Sequence, residues 1–253
     1  LQIQGPLSED LMAKLAGEEL RDVPYYGLME ANINGADCVI SQTGFTGEKG
    51  YEIYVRDTHE NAEKVWNKVL EDGEEFGLMV IAPAHHRRIA AGILSWGQDL
   101  DHETSPFQVN LAYQVPRNKK SDYIGKAELE RQRDIIDSGD APFKMKMVGI
   151  TLGGKEITDY APDFWLVADT DGNDMGYVTS PWWSPELETN IALAWVPWSS
   201  SEVGTKLLVK LPDEYSVTPG EPVEGEVVDV PFRESVNPNK REVEAAKGKD
   251  FAE

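Results

Sequence analysis

Six short β-type runs crowd the second half of the chain. They are MKMVGITL (145–152), FWLVA (164–168), MGYVTS (175–180), NIALAWV (190–196), TKLLVKL (205–211) and GEVVDV (225–230), separated by Gly, Pro, Asp and Asn. Runs this short, at this spacing, bury their apolar faces by curling into one antiparallel barrel or pairing as a sandwich. An all-β domain is therefore expected over 141–233, and the charged stretch that follows Phe232, poor in apolar residues, reads as a tail over 234–253.

The first half is written differently. Ser8 is placed to cap a short helix, SEDLMAKLAG, on which Leu11, Met12 and Leu15 share a face. The stretches 28–33 and 37–41 flank Asn34-Gly35, the pair that best fits a tight hairpin turn, and YEIYV (51–55) reads as another strand. From Thr58 to Phe76, Ala62, Val65, Trp66, Val69 and Leu70 recur at helical spacing. Pro83 is placed to open the next helix, with Ile89, Ile93 and Leu94 as its apolar face, and the charged helix GKAELERQRDII (125–136) runs into the polar segment DSGDAP (137–142). The fold class is thus α+β: a mixed domain over 1–140, then the barrel.

Charge and cysteine usage narrow the partners. The 253 residues carry 45 acidic and 24 basic side chains, a net charge of −21, which repels nucleic-acid backbones and anionic headgroups. No run suits a membrane-spanning helix, and the single cysteine, Cys38, fits a reducing, cytoplasmic setting. The interspersed acids suit either a salt-rich cytosol or an ordinary acidic enzyme, and 15 Lys against 9 Arg speaks for the latter. Leu1 is no initiator, and LQIQGP looks like the middle of a strand and turn, so the chain is expected to be an N-terminally incomplete fragment.

Phosphate loops, GxGxxG, GxSxG and HExxH are all missing, and no Cys/His spacing suits a metal. His85 and His86 are adjacent and point about 100° apart on a helix; with His59 and His102 they read as structural or surface residues. TGFTGEKGYEIYV (43–55) says more. Its three glycines in eight positions allow something to lie against the backbone, and Glu52 follows on a strand between apolar neighbours. A buried carboxylate there needs donors: a guanidine-like heterocycle edge, or an arginine such as Arg87 or Arg88. Tyr25-Tyr26, Trp96 and Trp182-Trp183 stand near turns, where aromatic walls can hold a flat ring or a cationic methyl donor. One of the adjacent pair Trp182 and Trp183 is expected to be partly exposed.

TGFTGEKGYEIYV, then ILSWGQDLDHETSPFQVNL (93–111), DYIGKAELERQ (122–132) and GYVTSPWWSPELETNIALAWVP (176–197), in this order, resemble the folate-dependent aminomethyltransferase family typified by the glycine cleavage T-protein. The resemblance implies a folate-binding domain followed by a C-terminal barrel, with tetrahydrofolate as cofactor. It implies that Glu52 accepts hydrogen bonds from the pterin and that Phe45 lies against the folate, with Trp96, Trp182 and Arg88 as further cofactor-binding candidates. The family's catalytic aspartate belongs to a segment ahead of LQIQGP, so no catalytic residue is assigned.

The motif Gly-Ala-Arg-Asp of the T-protein is Ala82-Pro83-Ala84-His85 here, which, with GYEIYVRDT and EDGEEF, is similar to the dimethylsulfoniopropionate demethylase branch. The implied reaction is methyl transfer from a small onium metabolite to N5 of tetrahydrofolate, which needs proximity and dryness more than acid–base work. The alternatives are glycine-cleavage-type aminomethyl transfer and a non-catalytic folate-binding module. The sequence leaves the oligomeric state open.

Overall fold

The computed structural model describes residues 1–115, 117 and 119–232, so the charged tail expected over 234–253 lies outside the described residues. The described residues divide by packing into two compact units, 1–84 and 85–232.

In the first unit, β1 (Gln2–Gln4), β2 (Leu28–Ile33), β3 (Ala36–Ser41) and β4 (Gly50–Val55) form an antiparallel sheet in the order β1-β4-β3-β2. Asn34 (φ 51°) and Gly35 (φ 81°) both take the positive φ of the hairpin turn expected there. The two-residue period sorts the sheet into two faces. Ile3, Ile33, Cys38, Ile40, Tyr51 and Ile53 are buried against α1 (Ser8–Ala16) and α2 (Thr58–Gly73), where Leu11, Met12, Leu15, Val65 and Val69 meet them. Each large side chain so buried contributes about 1.5–3 kcal/mol. The opposite face is polar and centred on Glu52, flanked in register by Gln2 and Ser41.

Two local expectations fail for physical reasons. Ser8 does not cap α1: it is the first helical residue, buried, and its hydroxyl donates to the Lys49 carbonyl (3.2 Å). Trp66 and Leu70 share the apolar period of α2 but sit at its margin, both more than a third exposed, because, of the apolar residues of α2, only Val65 and Val69 are buried in the core beside the sheet.

The second unit opens with α3 (His85–Ala90). This helix ends before Ile93 and Leu94, which were expected on its apolar face, because the Ile93 amide folds back onto the Arg88 carbonyl (2.8 Å) in a Schellman-type closure. After α4 (Lys126–Asp137), strands β5 (Met145–Leu152), β6 (Trp165–Ala168), β7 (Asp174–Ser184), β8 (Thr189–Pro197), β9 (Lys206–Val209) and β10 (Val223–Val228) close a barrel in the order β10-β5-β8-β7-β6-β9. The polar segment 137–142 therefore marks where strand pairing begins, while the division by packing falls at 84/85.

Val148, Ile150, Trp165, Val167, Ala192, Ala194 and Val209 fill the barrel. Met147, Ile191, Leu193 and Trp195 point outward and are covered by Ile89, Ala90 and Val109. This double burial explains the unbroken apolar run of β8. Among the described residues no helix is long and apolar enough to cross a membrane.

Candidate functional site

The Gly-rich turn 43–50 is built around a side chain of the protein itself. Thr46 donates to the Gln4 amide oxygen (2.6 Å), Gln4 Nε2 donates to the Thr43 carbonyl (3.4 Å), and the Gly5 amide donates to the Lys49 carbonyl (2.9 Å). A Cβ at Gly44 or Gly50 would overlap the Gln4 amide. The closely approaching group that the glycines admit is thus Gln4. Lys49 also pairs with Glu9 on α1 and holds its carboxyl below the usual range.

This anchored turn presents Thr43 to Glu52. Thr43 Oγ1 and the Tyr54 hydroxyl (3.1 Å) both donate to Glu52 Oε2, and Ser41 Oγ lies 2.9 Å from Thr43 Oγ1. No donor reaches Glu52 Oε1 among the described residues. The carboxylate is half-buried, oriented by two hydroxyls, and left with one oxygen able to accept from a ligand. Its partners are hydroxyls, not Arg88, since Arg88 is committed elsewhere. Phe45 stands in the same turn, 39% exposed.

In the second unit Arg88 is 1% exposed. Its Nη1 donates to Asp99 Oδ2 (2.7 Å) and the Ile93 carbonyl (3.2 Å), its Nη2 to Ser180 Oγ (2.8 Å) and Gln98 Oε1 (3.3 Å), and its Nε to His85 Nδ1 (3.3 Å). All five guanidinium N–H groups are used within the protein, so Arg88 anchors and has none left for a cofactor. Asp99 is equally engaged: Thr179 and Ser180 donate to Oδ1 (2.6 and 2.5 Å), while Arg88 and the Ser95 amide (2.8 Å) donate to Oδ2. Consecutive strand residues ordinarily face apart. A register shift in β7 between Val178 and Ser180 lets both hydroxyls reach one carboxylate.

Trp182 and Trp183 are both half-buried. Trp182 stacks on His85 (centroids 5.4 Å, planes at 22°), with Tyr160 edge-on to both. Burial, and then the positive Arg88, push the His85 pKa down to about 4, so its ring is neutral and accepts from Arg88. Trp96 is 60% exposed and meets His102 edge to face at 4.7 Å. Glu52 and Phe45 thus belong to the first unit, and Arg88, Trp96 and Trp182 to the second.

The donors around Glu52 and the acceptor for Arg88 were not anticipated. Asp99 had a usable signal: an arginine in the apolar pattern of a helix needs a nearby acid, and DLDHE follows within the next turns.

Residues 1–119 match the family model of the GCVT N-terminal domain, and 146–232 match that of the glycine cleavage T-protein C-terminal barrel domain. A protein named aminomethyltransferase from Geobacillus sp. (strain WCH70) is 32% identical over 235 residues, covering 92% of this chain and 59% of the relative. Another of that name from Bacillus subtilis (strain 168) is 30% identical, covering 92% and 60%. The crystal structure of glycine cleavage system aminomethyltransferase T from Bartonella henselae has a TM-score of 0.72 at 23% identity, over 92% of this chain and 59% of that one, a likeness in fold. This chain spans about three-fifths of the length of these relatives. With both domain models matched in order, the chain belongs to the glycine cleavage T-protein family.

Proposed function

We propose that the chain takes part in tetrahydrofolate-dependent one-carbon transfer of the aminomethyltransferase type, with the first unit holding the pterin. The observation that carries this reading is Glu52: a carboxylate on a strand, fixed by Thr43 and Tyr54 through one oxygen, with the other unmet. A pterin edge offers amino and ring N–H donors, the amide-like partners such an acceptor fits, and Phe45 on the adjoining turn is exposed enough to meet a flat ring. Tetrahydrofolate, when bound, supplies the nitrogen that accepts the one-carbon unit. The chain's own residues bind and orient it and limit access of water.

Aminomethyl transfer is favoured over methyl transfer from an onium donor because relatives matching both domains carry the name aminomethyltransferase. The second reading, a demethylase acting on a dimethylsulfoniopropionate-like metabolite, draws support from Ala84 standing where the T-protein motif has arginine and from the next residue, the neutral His85, packing against Tyr160 and Trp182.

Titrating the 253-residue chain with tetrahydrofolate tests the site. Glu52→Gln should weaken binding about tenfold or more, as loss of a charge-assisted acceptor does. An unchanged dissociation constant would remove Glu52 from the site. Product analysis with an aminomethyl donor and with an onium panel separates the two reactions.

A further inference from the structure

Three aromatic rings meet at the start of α3, and each carries a hydrogen-bond donor that the protein leaves unused. His85 stacks on Trp182 (centroids 5.4 Å), while Tyr160 stands edge-on to both, at 4.1 and 5.5 Å. An arginine can only donate, so the bond from Arg88 Nε (3.3 Å) makes His85 Nδ1 an acceptor. Burial and the positive Arg88 keep the ring neutral, which leaves its one N–H on Nε2. His85 is therefore a donor and has no free lone pair with which to act as a base. Trp182 Nε1 likewise only donates, and the Tyr160 hydroxyl carries a third hydrogen. Among the described residues none of the three meets an acceptor.

The rings are held by elements packed behind them. His85 is tied through Arg88 to the buried Asp99. Trp182 lies on β7, and the loop that carries Tyr160 is pinned to the neighbouring residue: the Trp183 amide donates to the Ile157 carbonyl (2.7 Å). The Ile157 amide donates to Asn190 Oδ1 (3.1 Å), and Asn190 Nδ2 donates to the Lys155 carbonyl (3.0 Å). Asn190 is buried, so these bonds are sheltered from water. His85 and Trp182 are half-buried and Tyr160 is exposed, which leaves the cluster reachable from solvent. Donors fixed in this way on packed elements are pre-organised for a guest.

A set of donors selects the guest. An amide, an alcohol or an ammonium group brings hydrogens of its own, and His85 and Trp182 offer nothing to accept them. A carboxylate brings about four lone-pair positions and no hydrogen, and bonds to an anionic acceptor are about twice as strong as neutral ones. The N–H groups lie on the ring edges, the positive side of each aromatic quadrupole. The net charge of −21 opposes an anion mainly at long range, and salt screens that repulsion beyond about 8 Å. We propose that the His85–Trp182–Tyr160 cluster binds the carboxylate group of a small organic acid, with His85 Nε2 and Trp182 Nε1 donating to it. The site lies wholly in the second unit and stands whether or not Glu52 holds a pterin.

The test is a titration of the 253-residue chain with sodium propionate replacing sodium chloride at constant ionic strength, read from the Trp182 indole N–H and His85 Nε2 signals in NMR spectra. Propionamide, uncharged and of nearly the same shape, is the comparison. Both signals should shift saturably, with propionate bound at least about tenfold tighter than propionamide. The titration midpoint of His85 should rise in the bound form, because the anion stabilises imidazolium. Tyr160→Phe and Trp182→Phe keep a ring in place and each remove one donor, so each should weaken propionate binding about three- to tenfold. Their melting curves check that they fold. 4-Aminobenzoylglutamate, which carries the carboxylates of a folate, separates two sources of the group: tighter binding than propionate assigns the site to a folate's own carboxylate, and equal or weaker binding assigns it to a separate small acid. No saturable shift by about 200 mM, equal affinity for propionamide, or unaltered affinity in both variants would overturn the proposal.

Discussion

Two carboxylates, one in each unit, show how differently the same group can be used. Asp99 in the barrel unit accepts four hydrogen bonds, from Arg88, Ser95, Thr179 and Ser180, and its side chain is 0% exposed. Its partner Arg88 has all five donors met. Nothing in that cluster can respond to a ligand without first breaking a bond within the protein. Glu52 on the sheet face is held through one oxygen only, by two hydroxyls that leave its second oxygen open. A completed polar network specifies structure, whereas a half-completed one on a rigid strand is a binding element.

Mutating the two acids should separate these roles. Asp99→Ala strands a buried guanidinium and is expected to cost about 3–5 kcal/mol of the second unit's stability. Denaturant unfolding followed by tryptophan emission reports this, because Trp66 is the one tryptophan outside 85–232. A loss below about 1 kcal/mol would mean that the cluster is not structural. Glu52→Gln should do the reverse: melting of the first unit within about 0.5 kcal/mol of the parent, but tetrahydrofolate binding weaker by about 1.5–3 kcal/mol. If its stability fell and its affinity held, the contrast between the two acids would collapse.

The unequal legibility of the two units follows from the same physics. Strand and helix positions are readable because apolar periodicity records burial directly, as in the six barrel runs, the face of α1 and the Val65–Val69 part of α2, and because Asn34-Gly35 marks its hairpin by turn chemistry. Polar pairings are not, because a hydrogen bond across 80 residues, such as Thr179 to Asp99, leaves no period in the chain. The bulge that brings Thr179 and Ser180 to one carboxylate is equally invisible in TSPWW. Glu52 stands out in the sequence for its place among apolar neighbours, whereas its donors Thr43 and Tyr54 read as ordinary turn and strand residues.

The Gly-rich turn is the instructive intermediate case. Its glycines announce close approach, and the sequence alone does not say by what. In the structure the approaching group is the Gln4 amide, bonded to Thr46 and Thr43. Gly44→Ala should therefore cost about 1–2 kcal/mol by overpacking against Gln4, and Gln4→Ala made alongside it should recover part of that loss. A double-mutant cycle with no coupling would show that the turn is shaped by something other than Gln4.

The smallest effect tests the link between the buried cluster and the aromatic rings. His85 has a folded pKa of about 4 against 6.5 for the ordinary imidazole, lowered by burial and by Arg88. Between these values the unfolded chain binds a proton that the folded chain refuses. This group therefore costs nothing at neutral pH, and its contribution to stability falls as pH drops through 6.5 towards 4. Discounted for partial exposure, the loss from pH 7 to pH 5 is about 1 kcal/mol. His85→Gln keeps an acceptor for Arg88 Nε and cannot titrate, so the difference between the two proteins isolates His85 from the carboxylates that titrate lower. The parent should lose about 1 kcal/mol more than the variant over that interval. Parallel pH profiles would mean that the imidazole takes up its proton as readily in the fold as in water, and that the stack on Trp182 does not shield it.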